Sequence, residues 1–228
     1  MKDAAAVKGT NRQDRAGQDR DGGDGNRPAL TARGERTRAK LLESAEAVFA
    51  ERSFDEASIV QITQRAGVAM GTFYLYFPSK QAVFSELVRD LGHRLRVEIA
   101  QAIEGLERRT HIEREGFRAF FEFTRRHPGL YRIIRSAESV DRDVFEEHYE
   151  RLAEGYVEGL STAMDTGEFR QQDPMVLAYL LMGIAEMVGM RWILWRPEGQ
   201  VSDELLEQLI AFIRHGAAAE PPDAPRTR

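Results

Sequence analysis

No cysteine occurs among the 228 residues. That excludes a disulfide framework, a thiolate nucleophile and a sulfur-ligated metal, and leaves the reducing cytoplasm as the expected compartment. Long apolar runs are scarce too. The most apolar stretch free of charge, residues 174–185, is well short of the roughly 20 residues that cross a bilayer, and Glu186 follows it directly. No membrane partner is expected. Residues 2–27 lack the apolar region of a secretory signal. Histidine is sparse: His93, His111, His127, His148 and His215 show no metal-ligand spacing, and His148, beside Glu147, reads as a surface residue. Neither a metal nor a cofactor is expected. No segment keeps a two-residue alternation for long, and no serine sits in a Gly-x-Ser-x-Gly elbow. Paired carboxylates such as Glu146 and Glu147 fall on a polar helix face, so no catalytic constellation emerges.

What is present is a chain that is 42% hydrophobic, enough for a real core, and that carries a net charge of −5. The charge is unevenly spread. Residues 1–80 hold 13 Lys and Arg against 11 Asp and Glu, which leaves 19 against 26 for the remainder. Any nucleic-acid contact must therefore come from a few well-placed groups rather than from long-range attraction.

Residues 1–32, rich in Gly, Asp, Arg and Asn, are expected to be disordered, as is a tail over 216–228. Between them nearly every segment has a helical period. One amphipathic helix is predicted over 35–50, with Leu42, Ala45 and Phe49 on one stripe. A long helix starts at Ser79 and continues toward Leu106. A third carries Phe117, Phe120 and Phe121 and ends before Pro128, and further helices are expected over 130–137 and 141–164. Residues 173–195 are apolar nearly all round, and a last helix from Ser202 has a very wide apolar face. One small domain cannot hide both surfaces, which points to a two-fold dimer through these helices; Gly183 and Gly189 would admit a partner's backbone. The expected fold is all-α. An N-terminal three-helix bundle over 33–78 contains a helix-turn-helix, and a larger helical ligand-binding and dimerisation domain occupies 79–215.

The chemistry concentrates between Ser58 and Phe77. Ser58-Ile59-Val60-Gln61 reads as a capping box. Ile62 and Ala66 face inward, and Gly67 can take the positive φ of a tight turn. A second short helix follows from Ala69 to about Tyr76. Two short helices joined by a glycine-containing turn are the elements of a DNA-binding helix-turn-helix. On the second helix Thr72, Tyr74 and Tyr76 offer hydroxyls to phosphate oxygens. Lys80 adds a charge where the next helix begins, and Met70, Gly71 and Leu75 remain to approach base edges. Ser58, opening the motif, is counted with this DNA-binding set. Arg27, Arg33, Arg36 and Arg38 form either a minor-groove arm or a charged leader.

The run Val68-Ala69-Met70-Gly71-Thr72-Phe73-Tyr74-Leu75-Tyr76-Phe77-Pro78-Ser79-Lys80, preceded by Ile62-Thr63-Gln64-Arg65-Ala66-Gly67, resembles the signature of TetR-family regulators. The likeness covers about residues 36–88, with Ser53 standing where that family often has glycine. It implies a homodimer on double-stranded operator DNA whose two recognition helices enter successive major grooves. It also implies repression relieved by a small molecule that binds the larger domain.

That domain is rich in aromatic and methionine side chains. Phe120, Phe123, Tyr131, Tyr149, Tyr156, Glu186, Met187 and Trp192 form the candidate set for an apolar pocket with a few polar fixtures. Glu186 and Arg191 are charges on an otherwise apolar helix, which suits either an ion pair or a ligand contact. A helical adaptor that binds another protein through its apolar helices is the competing reading.

Overall fold

The structure, a computed structural model, describes residues 31–196 and 199–217, within which nine α-helices and no strand are found. Three elements come first: the 20-residue α1 (Ala32–Glu51) and the short α2 (Ile59–Ala66) and α3 (Met70–Tyr76). The long α4 (Lys80–Ile103) leads into α5 (Arg109–Arg126), α6 (Leu130–Val140), α7 (Arg142–Asp165), α8 (Pro174–Gly189) and α9 (Asp203–Ala217). Most of the two expected tails lies outside the described residues. Their inner ends do not behave as tails, since α1 already begins at Ala32 and α9 continues through Gly216 and Ala217. Arg33, Arg36 and Arg38 are thus residues of α1, and Arg38 is fixed, its guanidinium 2.5 Å from Glu86. Arg27 lies outside the described residues.

Local chemistry explains where the helices start. Ser79 Oγ accepts from the N–H of Ala82 at 3.0 Å, satisfying an orphan amide at the head of α4. Asp141 does this for Val144 at the head of α7 and also accepts from Ser85 on α4, so one carboxylate caps a helix and ties it to its neighbour. At α8 the Asp173 carboxylate takes the amides of Met175 and Val176 while Pro174 fills the first turn. The apolar helix over 173–195 is not uniform. After Gly189 it widens into a π-helical turn, Met190–Leu194.

Two apolar clusters hold the chain. The first joins Leu41, Phe49, Ile62 and Phe73 to Val83, Phe84, Leu91 and Leu95 of α4 and onward to Phe123, Ile133 and Val144. Each of its fully buried large side chains is worth about 1.5–3 kcal/mol relative to exposure. This cluster runs without a break across residue 78. The second is built from Phe117, Phe121, Leu160, Phe169, Leu181, Leu206 and Ile213, between α5, α7, α8 and α9. By length and composition Pro174–Leu194 could cross a bilayer. Here Leu177, Ala178, Leu181, Met182 and Ala185 are instead buried in that second cluster, and α8 packs along α7.

Candidate nucleic-acid interface and ligand cavity

The helix-turn-helix is assembled from local interactions. The Ser58 N–H donates to Gln61 Oε1 at 2.9 Å, and the Gln61 N–H donates back to Ser58 Oγ at 3.3 Å. Gly67 closes α2 at φ 63, ψ 38, left-handed backbone that glycine adopts without a Cβ clash. Its N–H donates to Gln64 and that of Val68 to Thr63, which leaves α3 crossing in front. Phe73 and Phe77 point inward and are almost wholly buried. Their burial sets the rotation of α3. Met70, Gly71, Tyr74 and Leu75 therefore face solvent, Leu75 at 80% exposure, while Thr72 and Tyr76 are half-buried. An exposed leucine on a two-turn helix contributes nothing to this core. Its position suits contact with another surface.

Lys80 behaves differently from the expectation. Its ammonium donates to the carbonyls of Phe54 at 2.7 Å and Ala57 at 2.8 Å and lies 4.4 Å from the centre of the Phe54 ring. The loop between α1 and α2 exposes carbonyls with no helical partner, and the lysine satisfies two of them. Only one of its three donors is left for a phosphate. Lys80 is thus first a clasp that fixes the loop ahead of α2 to the head of α4. The same loop also carries reciprocal contacts between Ser53 and Glu56.

The cavity lies in the larger helical region, among α4, α5, α6, α7 and α8. Five of the eight expected side chains line it: Phe120, Tyr131, Tyr149, Tyr156 and Glu186. Three do not. Phe123 is buried in the first cluster, its ring 4.4 Å from that of His127, because it stands on the side of α5 that faces α1 and α4. Met187 and Trp192 are 56% and 39% exposed. The inward stripe of α8 is Met182, Ala185, Glu186 and Gly189, so Met187 falls outside it, and the π-turn carries Trp192 away. Gly189 serves packing rather than a partner's backbone, since a Cβ there would lie 2.3 Å from the Tyr131 hydroxyl; Gly183 is open. Leu95 and Ile99 of α4, Ile134 of α6, Leu152 and His148 complete the walls. These went unnoticed in the sequence, although Leu95 and Ile99 have i, i+4 spacing.

The polar fixtures are few and engaged. Tyr149 donates to the Glu186 carboxylate at 2.9 Å, and Tyr131 donates to the Glu186 backbone carbonyl at 3.2 Å. Burial first, and then the Glu186 charge, push both phenols well above their ordinary range, so they stay protonated donors. Burial does the same to Tyr156, beside the buried Arg109–Glu113 pair. Glu186 does not pair with Arg191, whose guanidinium lies over the Trp192 ring at 5.3 Å. His148 is a further correction. It is 8% exposed rather than on the surface, because it falls on the inward stripe of α7 four residues after Val144. The cavity encloses only about 40 Å³. A ligand site for a drug-sized molecule spans roughly 300–1,000 Å³, so binding requires the walls to part. A larger groove of about 1190 Å³ runs between α1 and α4, but Glu35, Glu43, Glu46, Asp90 and Arg94 line it and it is half open, which does not suit an apolar guest.

Residues 41–87 match the family described as bacterial regulatory proteins, tetR family. The chain is 28% identical over 193 residues to the HTH-type transcriptional repressor KstR2 of Mycobacterium tuberculosis, covering 80% of this chain and 94% of the relative. It is 39% identical over 67 residues to the uncharacterized HTH-type transcriptional regulator YdgC of Bacillus subtilis, spanning 29% of this chain and 34% of that protein. Among solved structures, the transcriptional regulator FadR from Bacillus subtilis in complex with stearoyl-CoA superposes with a TM-score of 0.68 at 18% identity, covering 76% of this chain and 97% of FadR.

Proposed function

Because the chain belongs to the TetR family of transcriptional regulators and is not an enzyme, we propose that it is a repressor released from a palindromic operator by a small apolar or amphipathic effector. The observation that carries this reading is the placement of α4. Its first residue, Lys80, clasps the loop that leads into the helix-turn-helix, and Leu95 and Ile99, in its C-terminal half, form a wall of the cavity. A guest that parts the walls by displacing α4 moves the DNA-reading end with it. The ligand must then favour the displaced state, and a coupling of about 1–3 kcal/mol corresponds to roughly 5–150-fold in DNA affinity. The FadR to which the chain is similar was solved with stearoyl-CoA, an amphipathic molecule, which supports the effector class.

The protein is read as a cytoplasmic homodimer joined through α8 and α9. The outer face of α8 leaves Met175, Val176, Tyr179 and Leu180 exposed, and α9 adds Phe212 at 66% exposure. Exposed apolar side chains on both helices suit a symmetric partner. On DNA, Tyr74 and Thr72 hold phosphates while Met70, Gly71 and Leu75 approach base edges, in two half-sites about one helical turn apart.

The test is selection of bound sequences from random DNA, combined with sedimentation of the wild type and of Leu180→Asp. A palindrome, a dimeric wild type and a monomeric variant that no longer binds DNA are expected. A monomeric wild type with no palindrome would overturn the assembly.

A further inference from the structure

Beyond the apolar wall of the cavity lies a second hollow of about 230 Å³, between α4 and α7. It is lined by Arg89, His93 and Arg96 from α4 and by Glu147, His148 and Arg151 from α7. The charges are unbalanced. Glu147 accepts from Arg89 at 2.9 Å and from Arg151 at 2.8 Å, so one carboxylate serves two guanidinium groups. Arg96 has no carboxylate in salt-bridge reach among the described residues. Burial, and then the charge of Arg151, lower its pKa, while the carboxylates of Glu147 and Glu154 act the other way without reaching it as salt-bridge partners.

His148 stands between the two spaces and lines both. Its Nδ1 is buried and has no hydrogen-bond partner among the described residues, a costly state for a ring nitrogen. Burial and the nearby Arg96 charge hold the ring neutral, its pKa pushed down to about 4. The missing side chain of Gly92 lets these groups converge. A point just above that residue, where a Cβ would stand, is 2.8 Å from His148 Nδ1 and 3.3 Å from Arg96 Nη1. Both groups therefore face the hollow over Gly92, and an anionic oxygen seated in that hollow, clear of the Gly92 backbone, would supply the acceptor that the Arg96 guanidinium and an Nδ1–H tautomer of His148 lack. The far side of the cavity is unsuitable for an anion, because Glu186 is there.

We propose that the hollow between α4 and α7 binds the anionic head, a carboxylate or phosphate monoester, of an amphiphile whose chain enters the apolar cavity past His148, with Arg96 as its principal contact. This deepens the effector reading above and rests on it. The effector class narrows to anionic amphiphiles, and neutral molecules of equal chain length become poor ligands.

The experiment is calorimetric titration of the full-length protein with three probes of one chain length: decanoate, decyl phosphate and decanol. At least one anion should bind about tenfold or more tightly than decanol, and whichever anion leads tells carboxylate from phosphate. Arg96→Gln should bring the anions to within about threefold of decanol, while Arg96→Lys keeps part of the preference. Gly92→Ala, which keeps every charged residue but pushes the His148 ring and Arg96 guanidinium away from the space over Gly92, should also remove the preference. Equal affinity for all three probes, no binding of either anion, or an undiminished preference in both Arg96→Gln and Gly92→Ala would overturn the proposal. Decanol that binds and releases DNA as well as the anions do would sink the anion site and leave the cavity reading intact. If Ala185→Trp, which fills the cavity, leaves binding of every probe unchanged, the cavity reading falls as well.

Discussion

Nδ1 of His127 lies 2.5 Å from Oε1 of Glu46, joining the residue that ends α5 to the middle of α1. Arg94 of α4 donates to the other ring nitrogen at 3.0 Å and reaches Glu46 as well. Because Arg94 can only donate, Nε2 accepts and Nδ1 carries the proton toward Glu46. Three helices therefore meet at one imidazole, between the cavity region and the DNA-reading end.

His127→Ala should weaken communication more than it weakens either binding event. Ligand affinity and DNA affinity measured separately are expected to stay within about twofold, while the ligand's effect on DNA affinity drops by a sizeable part of a coupling of about 1–3 kcal/mol. Titrating ligand with and without operator DNA measures this. An unchanged ratio between the two titrations would show that the contact is only structural.

Acid should destabilise the fold through His148. Its folded-state pKa of about 4 is below the 6.5 of a free imidazole, so between those values the unfolded chain holds the extra proton. Stability is complete above about 6.5 and falls as pH drops toward 4, by roughly 3 kcal/mol from this group. Urea unfolding at pH 7 and pH 4.5 should show the loss, and His148→Leu should flatten it. Equal slopes for the two proteins would remove His148 as the cause.

Lys80→Ala should lower the melting temperature, because the carbonyls of Phe54 and Ala57 lose their donor; leaving buried acceptors unpaired costs about 1–3 kcal/mol. Scanning calorimetry gives the answer. A variant that melts like the wild type, yet shows a DNA salt slope lower by about 1 per protomer, would return Lys80 to a purely phosphate-binding role.

Tyr74→Phe and Leu75→Ala should leave stability within about 0.5 kcal/mol, since both side chains are mostly exposed. Their effects on DNA should differ. Loss of the hydroxyl should weaken all sequences alike by about 0.5–1.5 kcal/mol, whereas Leu75→Ala should change which base is preferred. Selection from random DNA, run with each variant, separates these outcomes.

What the sequence disclosed and what it hid divide by distance along the chain. The Ser58–Gln61 box, the positive φ of Gly67 and the helix start at Ser79 each depend on residues within three or four positions, and all are in the structure. The clasp made by Lys80 is not legible in the sequence, because its partners, Phe54 and Ala57, are 26 and 23 residues away. Phe123, Met187 and Trp192 were placed in the cavity by residue type, which says nothing of helix rotation. His148 was hidden by its charged neighbours Glu146 and Glu147, although it continues the buried stripe from Val144. The hollow over Gly92 needed two helices to be seen side by side.

The apolar cluster that runs unbroken from Leu41 to Val144 limits how this molecule can be recombined. Cutting the gene at residue 78 to graft its DNA-reading head onto another sensor would strip α1 of the α4 and α6 faces packed on it, among them the Phe84 ring 5.1 Å from Phe49. A chimera should keep its head only if the splice is made beyond Val144, or if the recipient supplies the faces of Val83, Phe84, Leu87 and Leu91 together with those of Ile133 and Ala137. Exchange of specificity is more practical by rewriting the exposed positions of α3 in place.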